Sequence, residues 1–159
     1  MNSSTLNLNI SPVTFAIIGG GFSGSLVAAN LLRNATMPLS IKLIERNSEV
    51  GRGVAYGTQV NCHLLNVPAG KMSAFPDELN HFLNWLHQNG HQEVTAATFV
   101  PRQVYGDYVQ ATLKEAEVNA PANVRLERIV DKAIAIETTT HSTTVYLSSG
   151  QRLYVKKLY

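Results

Sequence analysis

The stretch FAIIGGGFSGSLVAANLL, Phe15 to Leu32, places four glycines within six positions between an apolar run and a helix-forming run. VTFAII, which leads into it, is a continuous β-prone segment of the kind buried on both faces of a parallel sheet. Ser23 to Arg33 predicts a helix, and after the break at TMPLS the run IKLIE predicts a second strand ending on Glu45. Together these make a βαβ unit. Within it Gly19, Gly21 and Gly24 satisfy G-x-G-x-x-G. The three glycines allow a tight turn, an unobstructed approach of a pyrophosphate to the backbone, and close packing of helix on strand. Free amides and the positive end of the helix then face the anion. Glu45 lies about 20 residues beyond the motif, where a carboxylate at a strand end takes both ribose hydroxyls. The bland alternative is a glycine turn that only packs a helix on a sheet, and the full context favours a dinucleotide site instead. Glu45 would repel a 2′-phosphate, although Arg46 beside it weakens that inference. The motif by itself leaves FAD and NAD both open.

At 45% hydrophobic and 15% charged, 159 residues suffice for one globular domain with a sizeable core. The net charge of +2 comes from scattered basic residues, which excludes the electrostatic footprint of a nucleic-acid binder and points to small-molecule partners. One cysteine, Cys62, excludes an internal disulfide and an all-cysteine metal site, and fits a reducing compartment, so a cytoplasmic location is expected. No apolar run approaches the roughly 18 residues that span a bilayer, so no membrane partner is expected. The opening MNSSTLNLNISP lacks the charged start and apolar core of a signal peptide. Residues 1–12 therefore read as a flexible leader, with the domain at 13–159.

Residues 47 to 76, rich in glycine and proline, predict a long functional loop. A helix is expected from Asp77, burying Leu79, Phe82, Leu83 and Leu86 until Gly90 stops it, and another from about Arg102 to Glu117, burying Tyr105, Tyr108, Val109 and Leu113. The block from Val124 to Val155 is rich in β-branched residues and broken by TTHS and SSG, which predicts a meander of about three strands.

LIERNSEVGRGVAYGT, then HLLNVPAGKMSAFPDELNHFLNWL, and later FVPRQVYGDYVQATL resemble the bacterial FAD/NAD(P)-binding flavoproteins of the YdhS type. More distantly the succession is similar to the flavin-dependent ornithine and lysine N-monooxygenases. The resemblance covers about Phe15 to Val155, and GRGVAYGT with LNVPA carries most of it. It implies an α/β fold: a Rossmann-like FAD-binding domain of the two-dinucleotide-binding-domain flavoprotein type, with a β-meander. FAD is the implied cofactor, held at its pyrophosphate by Gly19, Gly21, Phe22, Ser23 and Gly24 and at its adenosine ribose by Glu45 and Arg46. Arg52, Gly53 and Val54 would continue along it. His63, Leu65 and Asn66 would approach the isoalloxazine, and the backbone of Val130, opening the first meander strand, would touch adenine.

The implied function is the FAD-binding portion of an NAD(P)H-dependent, monooxygenase-like oxidoreductase acting on an unknown small-molecule substrate. Such flavoproteins continue into another parallel strand of the form VVLATG and a second glycine motif for NAD(P)H. This chain has RLYVKKLY at that place, so the expectation is a domain truncated before its closing strand, with NAD(P)H belonging to an intact homologue. Two alternatives stand beside this reading. One is a non-catalytic fragment that self-associates or pairs with a complementing chain. The other is a small NAD-dependent dehydrogenase, which would need a Tyr-x-x-x-Lys, whereas Tyr105 has Val109 at that spacing.

Asp77 and Glu78 are expected as first-turn acids of a helix, because adjacent helical residues do not share a face. His81, His87 and His91 lack cysteine or carboxylate partners at ligand spacing and are expected at the surface. Arg102 would meet a flavin phosphate, an acidic substrate or a surface carboxylate. No Ser/His/Asp or Cys/His arrangement is recognisable, and no catalytic residue is assigned.

Overall fold

The computed structural model describes residues 12–156, so the leader expected over residues 1–12 lies, but for Pro12, outside the described residues. Strand β1 (Val13–Ile18) runs into helix α1 (Phe22–Asn34), and β2 (Leu39–Glu45) returns parallel to β1, with Val13 opposite Leu39 and Ile18 opposite Ile44. A long segment comes next, holding the one-turn helix α2 (Gly53–Tyr56), a 3-10 turn at Ala69–Lys71 and helix α3 (His81–Gln88). Helix α4 (Arg102–Val118) then leads to β3 (Val124–Val130), which pairs with β2 in parallel from Leu39–Val124 to Glu45–Val130.

This corrects the expectation that VRLERIV opens the meander and that Val130 stands at the start of a meander strand. β-branched composition does not distinguish parallel from antiparallel pairing. The helix α4 before it makes the segment the return of a crossover, and a crossover returns parallel. The meander begins only after β3, with β4 (Ala133–Thr138), β5 (Ser142–Leu147) and β6 (Arg152–Lys156) paired antiparallel in that order.

Strand β2 is the middle of the parallel sheet and shows both sheet faces. Its odd-numbered side chains Leu39, Ile41 and Leu43 pack on Ala28, Ala29 and Leu32 of α1 and on Leu113 and Ala116 of α4. On the other face Ile44 packs against Val145, Leu147 and Leu153 of the meander. Ser40 and Lys42 share that second face by alternation. There Lys42 pairs with Glu127 at 2.5 Å, and Arg125 donates to Ser40 at 3.4 Å. Strand β1 has β2 as its only strand neighbour, which leaves it at the sheet edge among the described residues.

A second core gathers the long segment onto α4. Phe82 is fully buried, with its ring centroid 4.9 Å from that of Tyr105 and 4.7 Å from that of Tyr108. The Tyr105 hydroxyl donates to the Met72 carbonyl at 3.0 Å, and burial, followed by the neighbouring Tyr108 and Tyr56 phenols, pushes its pKa up. The Tyr108 hydroxyl accepts from the Ala74 N–H at 2.9 Å and meets His81 Nδ1 at 2.7 Å.

Helix α3 starts at His81, later than expected. Asp77 and Glu78 precede it and pair with Arg33 instead of charging a first turn, and Leu79 is 71% exposed. His81 is half-buried against Tyr108, contrary to its expected place at the surface. The carboxylates find a cation on α1 that only the tertiary fold brings near. Phe82→Ala, which empties the centre of this aromatic core, is expected to cost about 3–5 kcal/mol in urea denaturation.

Candidate functional site

The strand ends of β1, β2 and β3 converge at one rim, and the glycine loop is fastened there by its own amides. The Gly19 N–H donates to the Ile44 carbonyl at 2.8 Å, and the Gly20 N–H to Glu45 Oε2 at 2.7 Å. The Glu45 carbonyl accepts from Asp131 N–H at 3.0 Å just past β3. Two close approaches explain the glycines. A Cβ on Gly24 would stand 1.8 Å from the Gly19 carbonyl oxygen, so any larger residue would push α1 off the loop. A Cβ on Gly20, the residue between the first two motif glycines, would stand 2.9 Å from both Glu45 Cβ and Val50 Cγ1. Gly20 is thus a requirement that the motif spacing does not include.

A second loop packs on the first. The Gly51 N–H donates to the Gly20 carbonyl at 2.7 Å, and Gly21 meets Gly53 backbone to backbone. Arg52, between these glycines, is held by Glu49 at 2.7 Å, by the Gln103 carbonyl at 3.1 Å and by Asp107. Burial opposes its charge, but the carboxylates of Asp107 and Glu49 outweigh this and its pKa is raised. Its guanidinium therefore anchors the second loop to α4.

Between the two loops and the start of the meander lies an open cavity of about 550 Å³. Of the residues singled out from sequence, Gly19, Glu45, Arg46, Arg52, Gly53 and Val54 line it. Gly21 and Gly24 shape the loop behind it, and Ser23 is exposed on the first turn of α1. Phe22 turns inward, its ring 5.4 Å from Tyr56 and 5.8 Å from Tyr105. Val130 ends β3 beside Glu45 and is exposed.

His63 lies apart, in a neighbouring concavity of about 420 Å³ with Thr58, Leu64 and Arg102. Val54, 94% exposed, borders both concavities. His63 Nδ1 meets the Thr58 hydroxyl at 2.7 Å, and Arg102 Nε donates to the Leu64 carbonyl at 3.0 Å. Leu65 is buried in the core and donates its N–H to the Val100 carbonyl at 2.9 Å, while Asn66 is exposed.

The cavity also includes Asn47, Glu49, Asp131 and Lys132, which sequence reasoning did not single out. Asp131 had no local signal, because its place depends on β3 lying beside β2. The Ser148 hydroxyl, donating at 2.5 Å, is the first of the groups that hold the Asp131 carboxyl down at about 2, with Ser149 next.

The site suits a dinucleotide on its own geometry. Gly21 flanks the start of α1 without a side-chain cap, and the first turn carries no acidic residue, so its amides remain available to an anion. Nothing stands within 4 Å of where a Gly19 Cβ would be. The Glu45 carboxylate, oriented by the Gly20 and Asn47 amides, offers acceptor oxygens at the strand end.

A family model described as FAD-NAD(P)-binding matches residues 16–159. The chain belongs to this family. Among solved structures, this FAD-NAD(P)-binding chain is similar to the lysine monooxygenase NbtG from Nocardia farcinica, at 18% identity and a TM-score of 0.56, covering 90% of this chain and 40% of that one. It is similar also to a flavin-containing monooxygenase from Stenotrophomonas maltophilia, at 19% identity and a TM-score of 0.57, covering 91% of this chain and 36% of that one. A third is a cyclohexanone monooxygenase, at 13% identity and a TM-score of 0.57, covering 92% of this chain and 25% of that one. At these identities the likeness is one of fold, and the chain spans well under half the length of each. Comparison with curated protein sequences finds no match. Among the described residues, no helix is long and apolar enough to cross a membrane.

This geometry sets two expected outcomes. Gly24→Ala is expected to destabilise the chain by about 1–3 kcal/mol or more, measured by thermal or urea unfolding, because the clash is with backbone. The folded value of about 2 for Asp131 lies below its ordinary 3.8, so its contribution to stability is complete above 3.8 and is lost as the pH falls toward 2. A carboxyl NMR titration should place the Asp131 midpoint in that window, and Asp131→Asn should remove its share of the acid dependence.

Proposed function

We propose that residues 13–159 form the FAD-binding portion of an NAD(P)H-dependent flavoprotein oxidoreductase, monooxygenase-like in the intact protein. The observation that carries this reading is the uncapped start of α1 set beside a carboxylate oriented at the end of the adjacent strand. The family's FAD-NAD(P)-binding character supports it. In this reading the amides of Gly21, Phe22, Ser23 and Gly24 hold the pyrophosphate, Gly19, whose own N–H is taken by the Ile44 carbonyl, supplies the open turn beneath it, and Glu45 accepts hydrogen bonds from the ribose hydroxyls with Arg46 beside it. The Val130 backbone borders the adenine.

From there the cofactor passes Arg52, Gly53 and Val54, where Val54 borders both concavities, and its flavin end reaches His63, with the exposed Asn66 close by in the chain. Leu65, buried in the core, supports this segment from behind and does not touch the cofactor. When bound, FAD supplies two-electron chemistry, accepting hydride from a reduced nicotinamide and passing electrons to an acceptor. The work of the chain is to bind and orient. Arg52 fixes the second glycine loop, Glu45 selects an unphosphorylated ribose, and Phe22 anchors the start of α1 in the aromatic core.

The edge position of β1 favours a second reading, in which the chain retains the dinucleotide fold but holds FAD weakly until another strand covers β1. Titrating purified chain with FAD distinguishes the two. The first reading expects stoichiometric uptake with the visible bands of protein-bound flavin, and Glu45→Gln should weaken binding about 10–100-fold through loss of a charge-assisted contact. A chain that takes up no FAD, or a Glu45→Gln variant with full affinity, would overturn the assignment.

A further inference from the structure

A separate cavity of about 190 Å³ lies between the end of α1, the start of α3 and the second half of α4. It sits at the opposite end of α1 from the glycine loop and shares no lining residue with either concavity described above. Its walls include Arg33, Glu78, His81, Thr112, Glu115 and Asn119.

Two independent observations mark it as a binding site. The first is Thr112, only 2% exposed, whose Oγ1 is the one buried side-chain polar atom without a hydrogen-bond partner among the described residues. Its neighbour, the Tyr108 hydroxyl, is already engaged by the Ala74 amide and by His81. Burial raises the Tyr108 pKa, with Ala74 and Thr112 among the groups that work against this, yet the two hydroxyls do not reach hydrogen-bond geometry. A buried hydroxyl left this way costs stability unless something completes it.

The second observation is charge. Arg33 is already balanced by Asp77 and Glu78 and lies 4.1 Å over the Phe75 ring. Among the described residues, Glu115 pairs with no cation. The wall therefore carries both a carboxylate that no described cation pairs with and an unsatisfied hydroxyl. No group of three or more His, Cys, Asp or Glu among the described residues is placed to hold a metal, which directs the choice to an organic cation.

We propose that this cavity binds a small primary ammonium. Its three N–H donors match three acceptors: Thr112 Oγ1, the Glu115 carboxylate, and the Glu78 oxygen that Arg33 leaves unused. The aliphatic part of the ligand packs against Phe75 and Ala116, which line the same space.

Thermal unfolding of the full chain in propylammonium chloride, against sodium chloride at equal ionic strength and with sodium propionate as the opposite charge, tests this. A saturable rise in Tm with propylammonium alone is expected. Thr112→Val, which keeps the shape and removes the hydroxyl, and Glu115→Gln should each weaken the apparent Kd about tenfold or more. Glu115 is exposed, so Glu115→Gln carries the test even where the buried substitution fails to fold. Absence of a saturable rise, a variant that responds like the parent chain, or a rise with propionate overturns the proposal. FAD uptake measured on the same samples reports on the glycine loop alone and should be unchanged in both variants.

Discussion

The seat of Gly24 under the Gly19 carbonyl is the contact on which the site depends. Helix α1 can aim its free amides at a ligand only if its first turn lies flush on the loop leaving β1, and the space there has no room for a Cβ. That placement also sets the rest of α1. From it, Ala28, Ala29 and Leu32 reach the face of β2 that α4 shares, so the uncapped helix start at the cavity and the main core are consequences of one helix position. Small residues at Ala28 and Ala29 continue the logic of Gly24 along the helix, keeping the backbone near the sheet.

The second loop shows how charge is used for position. Arg52 could serve as a ligand for phosphate, but its guanidinium is taken up by Asp107, Glu49 and the Gln103 carbonyl. A partly buried arginine requires such partners, since desolvation opposes its charge and a fork-shaped donor satisfied on several sides loses little by being held. What remains for the cavity is backbone from the two glycine loops and the oriented carboxylates of Glu45 and Asp131. This leaves the positive potential at the site to the α1 amides, with Arg46 and Lys132 at its margin.

The two faces of the parallel sheet are covered unequally, and the local sequence reflects it. Beneath the helices β2 presents Leu39, Ile41 and Leu43, whereas on the other face the meander covers Ile44 and leaves Lys42 to an ion pair with Glu127. The meander thereby brings Ala133 and Lys132 to the rim beside the ends of β1 and β2 and closes one side of the cavity at the glycine loop. Strand β1, which bears the glycine loop, remains the edge of the described sheet.

Much of this was legible in the sequence wherever the cause is local. Strand, glycine loop, helix and second strand arise from apolar runs and from turns that only glycine permits, and the place of Glu45 is set by the length of a βαβ unit. Helix α4 and its buried Tyr105, Tyr108, Val109 and Leu113 are dictated by helical spacing. Tertiary structure alone decided what depends on residues distant in the chain. The pairing of β3 with β2, which turned an expected meander strand into a parallel one, set Val130 opposite Glu45 and brought Asp131 to the cavity. The capture of Asp77 and Glu78 by Arg33 shortened α3, and Asp107, Glu49 and the Gln103 carbonyl became the partners of the Arg52 guanidinium. In each case a backbone edge, a carboxylate or a guanidinium had several chemically equivalent partners in the sequence, and only packing chose among them.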